Sequence, residues 1–217
     1  MLISYRYNFL FVHIAKTGGT SVRAALRPYR WGGWYSFPAW VGSMLDQATG
    51  HAVPAKFRRH AKAIVAQEML PADLWRRLFK FTVVRNPYDL QVSAWLHLQR
   101  EHPRLVDGFA SFPEFIAYKF DPERAPEPLV DITMQPMSEY VVDLQGRVII
   151  DYIAHTETLD DDFATICARI GLNPPPALPR ARAAQGRKPY RAYYDDASRA
   201  AVARHYARDL EVFGYEW

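Results

Sequence analysis

Apolar side chains crowd Phe9, Leu10, Phe11, Val12 and Ile14 with almost no polar alternation. A short run this rich in aromatic and β-branched residues reads as a strand buried on both faces of a parallel sheet. Gly18 and Gly19 interrupt it, and residues 21–26 resume at helical spacing, which gives strand, tight turn, helix. A second run, F-K-F-T-V-V at 79–84, predicts another buried strand, followed after Arg85-Asn86-Pro87 by a helix from Tyr88 to about Arg100. Residues 60–69 read as a helix, and Pro71 opens a further one through Leu78 with proline in the first turn. Residues 109–118 read as helical and 121–128 as broken by proline.

Further along, residues 138–143 and 147–152 flank Gln145-Gly146 and predict a hairpin. Within it, Val148-Ile149-Ile150-Asp151 imitates a Walker B strand, but no true Walker A loop accompanies it, so the expectation is an ordinary strand. Thr158 stands where it can cap a helix over 159–170, with Asp160, Asp161 and Asp162 favouring the dipole of its first turn. Gly171 stops that helix, and Asp195 or Asp196 caps a last one running to about Leu210. Residues 28–50 have neither period. They hold Tyr29, Trp31, Trp34, Tyr35, Phe37 and Trp40 among glycines, a composition that suits stacking on sugars or covering a core.

The order of elements predicts an α/β protein: one domain over residues 1–217, with a central parallel sheet flanked by helices in a three-layer, P-loop-NTPase-like arrangement. A chain of 217 residues suffices for one such domain, and no linker or repeat divides it. The formal net charge of +4 suits an anionic ligand and falls short of the basic stripe of a nucleic-acid-coating protein. The single cysteine, Cys167, excludes an internal disulfide framework and reads as a core thiol. With no leader pattern and no long apolar segment, a cytoplasmic protein without a transmembrane span is expected.

The chemistry concentrates at two strand ends. Around the first turn stand Lys16, Thr17, Gly18, Gly19, Thr20 and Ser21. Glycines there let backbone N–H groups converge with a helix N-terminus and an ammonium on one point, the requirement for holding a phosphate. A Walker A loop carries its lysine directly after the last glycine, whereas Lys16 precedes Gly18-Gly19. The loop therefore keeps phosphate-loop physics without an ATP or GTP signature. At the second strand end, Arg85 precedes a helix on which Asp89 and Ser93 share a face, a pairing suited to a second phosphate. Residues 180–191 form a basic stretch that includes Arg187, Lys188 and Arg191.

Two anion sites on one sheet suggest a nucleotide with phosphates at two positions, and here the chain resembles a known family. H-I-A-K-T-G-G-T-S is similar to the 5′-phosphosulfate loop of carbohydrate sulfotransferases that use 3′-phosphoadenosine 5′-phosphosulfate (PAPS), with Ala15 where a proline is usual. F-K-F-T-V-V-R-N-P-Y-D-L-Q-V-S-A-W-L-H-L resembles their 3′-phosphate segment, Arg85 and Ser93 matching the phosphate ligands and Leu90 standing where arginine is frequent. Q-P-M-S-E-Y at 135–140 and D-L-E-V-F-G-Y near the end add to the likeness, which is strongest to the heparan sulfate 2-O-sulfotransferase branch and its bacterial members.

The resemblance implies in-line transfer of a sulfuryl group from PAPS to a hydroxyl of a sugar or glycoconjugate, leaving 3′-phosphoadenosine 5′-phosphate, with no metal. It implies that Lys16 stabilises the leaving oxygen and that Thr17 to Ser21 hold the 5′-phosphate. A hydroxyl nucleophile needs a base near neutral pH, which suits histidine. His60, in R-H-A-K-A, matches a K-H-x-x-A pattern of bacterial members, and His51 is the second candidate. Two other readings stay open: a P-loop-type NTPase or small-molecule kinase using Asp151, and a nucleotide-binding module without catalysis.

Overall fold

The structure, a computed structural model, describes residues 1–30, 57–179 and 187–217. His51 and nearly all of the aromatic stretch lie outside the described residues. The described parts of Met1–Ile14, Gly18–Val83 and Glu139–Ala181 form one compact unit, and those of Ala15–Thr17, Val84–Ser138 and Arg182–Trp217 form another.

The first unit is built on a sheet of order β1(Leu2–Ser4), β2(Phe9–Val12), β3(Phe79–Val84), β4(Tyr152–His155). β2 and β3 run parallel in the register Phe9↔Phe79 to Val12↔Thr82. β1, by contrast, pairs antiparallel with β2, Leu2 facing Phe11 and Ser4 facing Phe9. The expected central parallel sheet is present as three parallel strands, and β1 adds an antiparallel strand at its edge, which makes the whole sheet mixed. The reason is the short link 5–8, which has room for a hairpin but not for a crossover. Helix α1 (Gly19–Leu26) follows β2, and two short helices, α2 (Ala63–Met69) and α3 (Ala72–Arg77), precede β3. Phe9, Phe11 and Phe81 share a core with Val22 and Leu26 of α1 and with Phe163, Ile166 and Cys167 of helix α7 (Leu159–Arg169). Burial pushes the Cys167 thiol up to about 11, as befits a core thiol.

Two expectations fail around the predicted hairpin. Only an isolated antiparallel bridge, Val142↔Val148, survives of it. The Asp143 carboxylate accepts the N–H groups of Gln145 and Arg147, both at 2.9 Å, and closes a tight turn, flanked by the backbone bonds Asp143 N–H to Arg147 O and Ile149 N–H to Val141 O. Residues 148–151 form no strand; the fourth strand begins at Tyr152. Asp151 accepts the N–H of Lys80 at 2.7 Å and pairs with its ammonium at 2.8 Å, so its carboxylate serves the sheet margin. Thr158 does occupy the N-cap position of α7, but its hydroxyl donates to Asp162 rather than capping.

The second unit is helical. Helix α4 (Pro87–Glu101) starts where Asn86 accepts the N–H of Tyr88 and Pro87 fills the first helical position, which needs no N–H donor. Helix α5 (Phe112–Lys119) starts later than the apolar pattern suggests, because Ser111 supplies the cap. A single turn, α6 (Pro128–Asp131), follows. The last helix divides into α8 (Asp196–His205), opened by a capping box on Asp195, and α9 (Ala207–Phe213). Between them the Tyr206 ring is fully buried, and its hydroxyl donates to Thr133 O while accepting from Gln91. Val92, Trp95 and Leu98 of α4 form the core with Phe112, Phe115, Ile116 and Val202. Leu90 is 1% exposed, so the position where the resembled family often carries arginine belongs here to the interior.

Candidate active site

The predicted anion loop leaves the C-terminal end of β2, and Arg85 leaves the C-terminal end of the parallel neighbour β3. In open α/β sheets this edge is where ligands bind. The turn has two residues in the left-handed region, Lys16 at φ 65 and Gly18 at φ 78. Glycine adopts that conformation freely, whereas Lys16 is held in it at a cost of order 1–3 kcal/mol. Strain of this kind persists where surrounding contacts dictate it, and one such contact is the bond from Arg85 Nη1 to the carbonyl of Lys16 at 3.0 Å. α1 starts at Gly19 with no side-chain cap and no acidic residue in its first turn. Its N-terminal dipole thus lacks a counter-charge from its own sequence. Thr17 is buried, Ser21 half-buried and Thr20 exposed.

Gly19 is dictated by contact rather than torsion. A Cβ there would lie 2.5 Å from Cδ2 and 2.8 Å from Nε2 of His13. His13 is itself buried, stacked on Phe11, and its Nδ1 accepts from Arg59 Nε at 3.3 Å. The same guanidinium donates to Thr20 at 3.0 Å. Burial, reinforced by the neighbouring charges of His60 and Arg59, pushes the His13 pKa far down, so the ring is neutral.

His60 sits in the turn before α2, its ring 4.8 Å from that of His13. Its Nδ1 lies 2.9 Å from the carbonyl of His13. A carbonyl only accepts, so Nδ1 carries the proton and Nε2 keeps its lone pair. Burial, the largest influence, lowers the His60 pKa from the ordinary histidine value; the bond to His13 opposes this and Arg59 adds to it. The result is a partly accessible imidazole that is neutral at pH 7 and fixed in one tautomer, the state a general base requires.

The second predicted anion residue is tied to a carboxylate. Arg85 donates through Nε to Asp89 Oδ2 at 2.7 Å and approaches it through Nη2 at 2.6 Å. Arg187 takes the other oxygen of the same carboxylate. One negative charge therefore holds two guanidinium groups, and Arg187 Nε is buried without a partner among the described residues. Ser93 stands half-buried one turn beyond Asp89. Lys188 is exposed, and Arg191 turns elsewhere, donating to Trp217 O and lying over the Tyr190 and Trp217 rings.

The structure thus brings Lys16, Arg85 and Arg187 into linked contacts within the second unit, and His60 against the strand end in the first. His13, which precedes the loop on the strand, is structural as its position suggests, buried and packed on Phe11; Arg59 was missed by sequence reasoning. The signal available was adjacency alone: Arg59 precedes His60. Among the described residues no helix is long and apolar enough to cross a membrane.

Comparison with known proteins places the chain in a family. The model of a family described as "Sulfotransferase family" matches residues 1–216. No curated protein matches at a significant level. Among solved structures, a sulfotransferase from Alicyclobacillus acidocaldarius is similar at 16% identity, covering 97% of this chain and 96% of that one, with a TM-score of 0.45.

Proposed function

Since the chain belongs to the sulfotransferase family, we propose that it transfers a sulfuryl group from PAPS to a hydroxyl of a carbohydrate or glycoconjugate, residues 1–217 acting as one catalytic domain. The family assignment by itself gives sulfuryl transfer to a hydroxyl-bearing acceptor; donor, acceptor class and residue roles are our reading. The observation that carries it is the bond from Arg85 to the Lys16 carbonyl, which joins the two motifs that resemble the 5′- and 3′-phosphate segments.

In this reading Lys16 balances the negative charge that grows on the bridging oxygen as the sulfur–oxygen bond to the 5′-phosphate breaks. Backbone N–H groups and hydroxyls of Thr17, Gly18, Gly19, Thr20 and Ser21 hold that phosphate, an electrostatic role like that in phosphoryl transfer. Arg85 and Ser93 take the 3′-phosphate, and Arg187 supports Arg85 through Asp89. Lys188 and Arg191 remain proposed contacts to the cofactor or to an anionic acceptor. His60 Nε2 receives the proton of the acceptor hydroxyl as the new sulfur–oxygen bond forms, and 3′-phosphoadenosine 5′-phosphate leaves. His51 is the second candidate for that proton. No metal is required by this sequence of events. Asp151, which an NTPase would need for magnesium, is engaged by Lys80.

The test is a melting experiment with 3′-phosphoadenosine 5′-phosphate against ATP plus magnesium. A ligand specific for the folded state adds about 2.7 kcal/mol at a hundredfold excess over its dissociation constant. Stabilisation by the bisphosphate, lost in Lys16→Ala and Arg85→Ala, is expected. Stabilisation by ATP and magnesium alone overturns the reading.

A further inference from the structure

α4 carries Asp89, Ser93 and His97 at intervals of four residues, so the three side chains start from one strip of the helix about 80° wide. The opposite side, with Val92, Trp95 and Leu98, is packed in the core of the second unit. The strip follows directly from Arg85, which bonds both Asp89 and the carbonyl of Lys16. His97 is half-buried, its ring is 6.0 Å from that of His102, and its Nδ1 is buried with no partner among the described residues. A buried ring nitrogen left unpaired is destabilising, so a molecule that offers it a hydrogen bond stabilises this position.

We propose that His97 is a further binding residue of the sulfuryl donor, hydrogen-bonding through its imidazole to the anionic group held at Lys16. The inference rests on the reading of the chain as a PAPS-dependent enzyme. The charges around the ring support it. Burial and then Lys16 and Arg100 disfavour the imidazolium, His102 acts in the same direction, and Glu101 opposes them. Lys16 therefore lies within electrostatic reach of His97, and in the ligand-free chain it adds to burial in disfavouring the charged ring. An anion that offsets the Lys16 charge removes that repulsion and adds attraction, which favours proton uptake by His97 as the anion arrives. The contact then becomes a charge-assisted N–H···O bond, stronger than one between neutral groups. The proton comes from solvent, and no covalent bond changes.

The experiment is calorimetric titration of 3′-phosphoadenosine 5′-phosphate at pH 6.5 in two buffers of unequal ionisation enthalpy. Wild type, His97→Phe and His97→Asn are compared. The phosphates of the ligand titrate near pH 6 themselves, so the difference between wild type and variant isolates the ring. Wild type is expected to take up more protons on binding than either variant. His97→Phe is expected to weaken binding about tenfold, and His97→Asn, which keeps a polar atom near the Nδ1 position, by less. If His97→Phe does not fold, His97→Asn supports the same proton count. An imidazole resonance absent from the His97→Asn spectrum reads the titration of the wild-type ring directly. Equal affinity and equal proton uptake in all three proteins overturn the role of His97 and leave the donor reading standing. No binding to the wild type overturns both.

Discussion

The candidate site residues of the two units treat charge in opposite ways. In the sheet unit, His13 and His60 are kept neutral by burial and by Arg59, and each has one nitrogen committed to a neighbour. In the helical unit the charges are kept and compensated: Asp89 binds Arg85 and Arg187 together. In the proposed function the first arrangement leaves a nitrogen to accept a proton, and the second holds cations for an anion. If that division is right, substitutions in the first unit act on turnover and those in the second on donor affinity.

The largest effect is expected at His60. His60→Gln removes the base while keeping a hydrogen-bonding side chain, and kcat should fall by about 100- to 10,000-fold, with affinity for 3′-phosphoadenosine 5′-phosphate changed little. The wild-type pH profile sharpens the same point. A base must be unprotonated to work, and a lowered His60 pKa moves the acid limb of kcat/KM below the ordinary 6.5, leaving activity flat through neutrality. An acid limb at or above that value, or a loss of donor affinity in His60→Gln, breaks the division.

Gly19→Ala comes next. In an unconstrained helix the change would add about 0.5–1 kcal/mol of stability. Here the new methyl meets the His13 ring at 2.5 Å and Phe11 at 3.2 Å, and overpacking of this kind costs about 1–3 kcal/mol. Urea unfolding should therefore show a lowered midpoint. Because His13 O orients His60, kcat should fall as well. An unchanged or raised midpoint contradicts the packing argument.

Asp89→Ala tests the other half. Without the carboxylate, two guanidinium groups repel and Arg187 keeps only its 3.4 Å bond to the backbone carbonyl of residue 89 on α4. The KM for the donor should rise about tenfold, equivalent to 1.4 kcal/mol, with kcat within about twofold. A fall in kcat at constant KM reverses the assignment.

How much of this was legible depends on sequence distance. Arg85 and Asp89 are four apart across a helix start, so their face could be read from spacing alone. β2, its glycine turn and α1 were legible for the same reason: one continuous apolar run, two glycines, one helical period. The pairing of His13 with His60 crosses 47 residues, and that of Arg187 with Asp89 crosses 98. Pattern within a window holds no information on such meetings. β1 was missed because three residues give alternation too little length to register. The first arm of the hairpin over 138–152 was begun too early because Asp209, 72 and 71 residues away in sequence, accepts the N–H groups of Met137 and Ser138.

The smallest effect on catalysis belongs to Lys119, yet it bears on the contrast between neutralised and compensated charge. Its ammonium is fully buried and donates to Gln91 Oε1 at 2.7 Å and to Thr133 Oγ1 at 2.6 Å, both uncharged. Here the helical unit departs from its own habit, since no carboxylate accepts directly from the ammonium in these bonds. Burial accordingly lowers the Lys119 pKa from 10.5 to about 7, with Asp131 opposing and Arg124 reinforcing the shift. Between those two values the unfolded chain binds more protons than the folded one, so folding stability contributed by this residue rises as pH increases through that window. Below about 7 both states are charged and the dependence vanishes. Unfolding free energies at pH 7, 8 and 9 should rise in the wild type relative to Lys119→Met, while kcat stays within about twofold because the residue is enclosed in the core. Parallel pH profiles for the two proteins mean that Lys119 keeps its charge when buried, and the helical unit then compensates this charge as well.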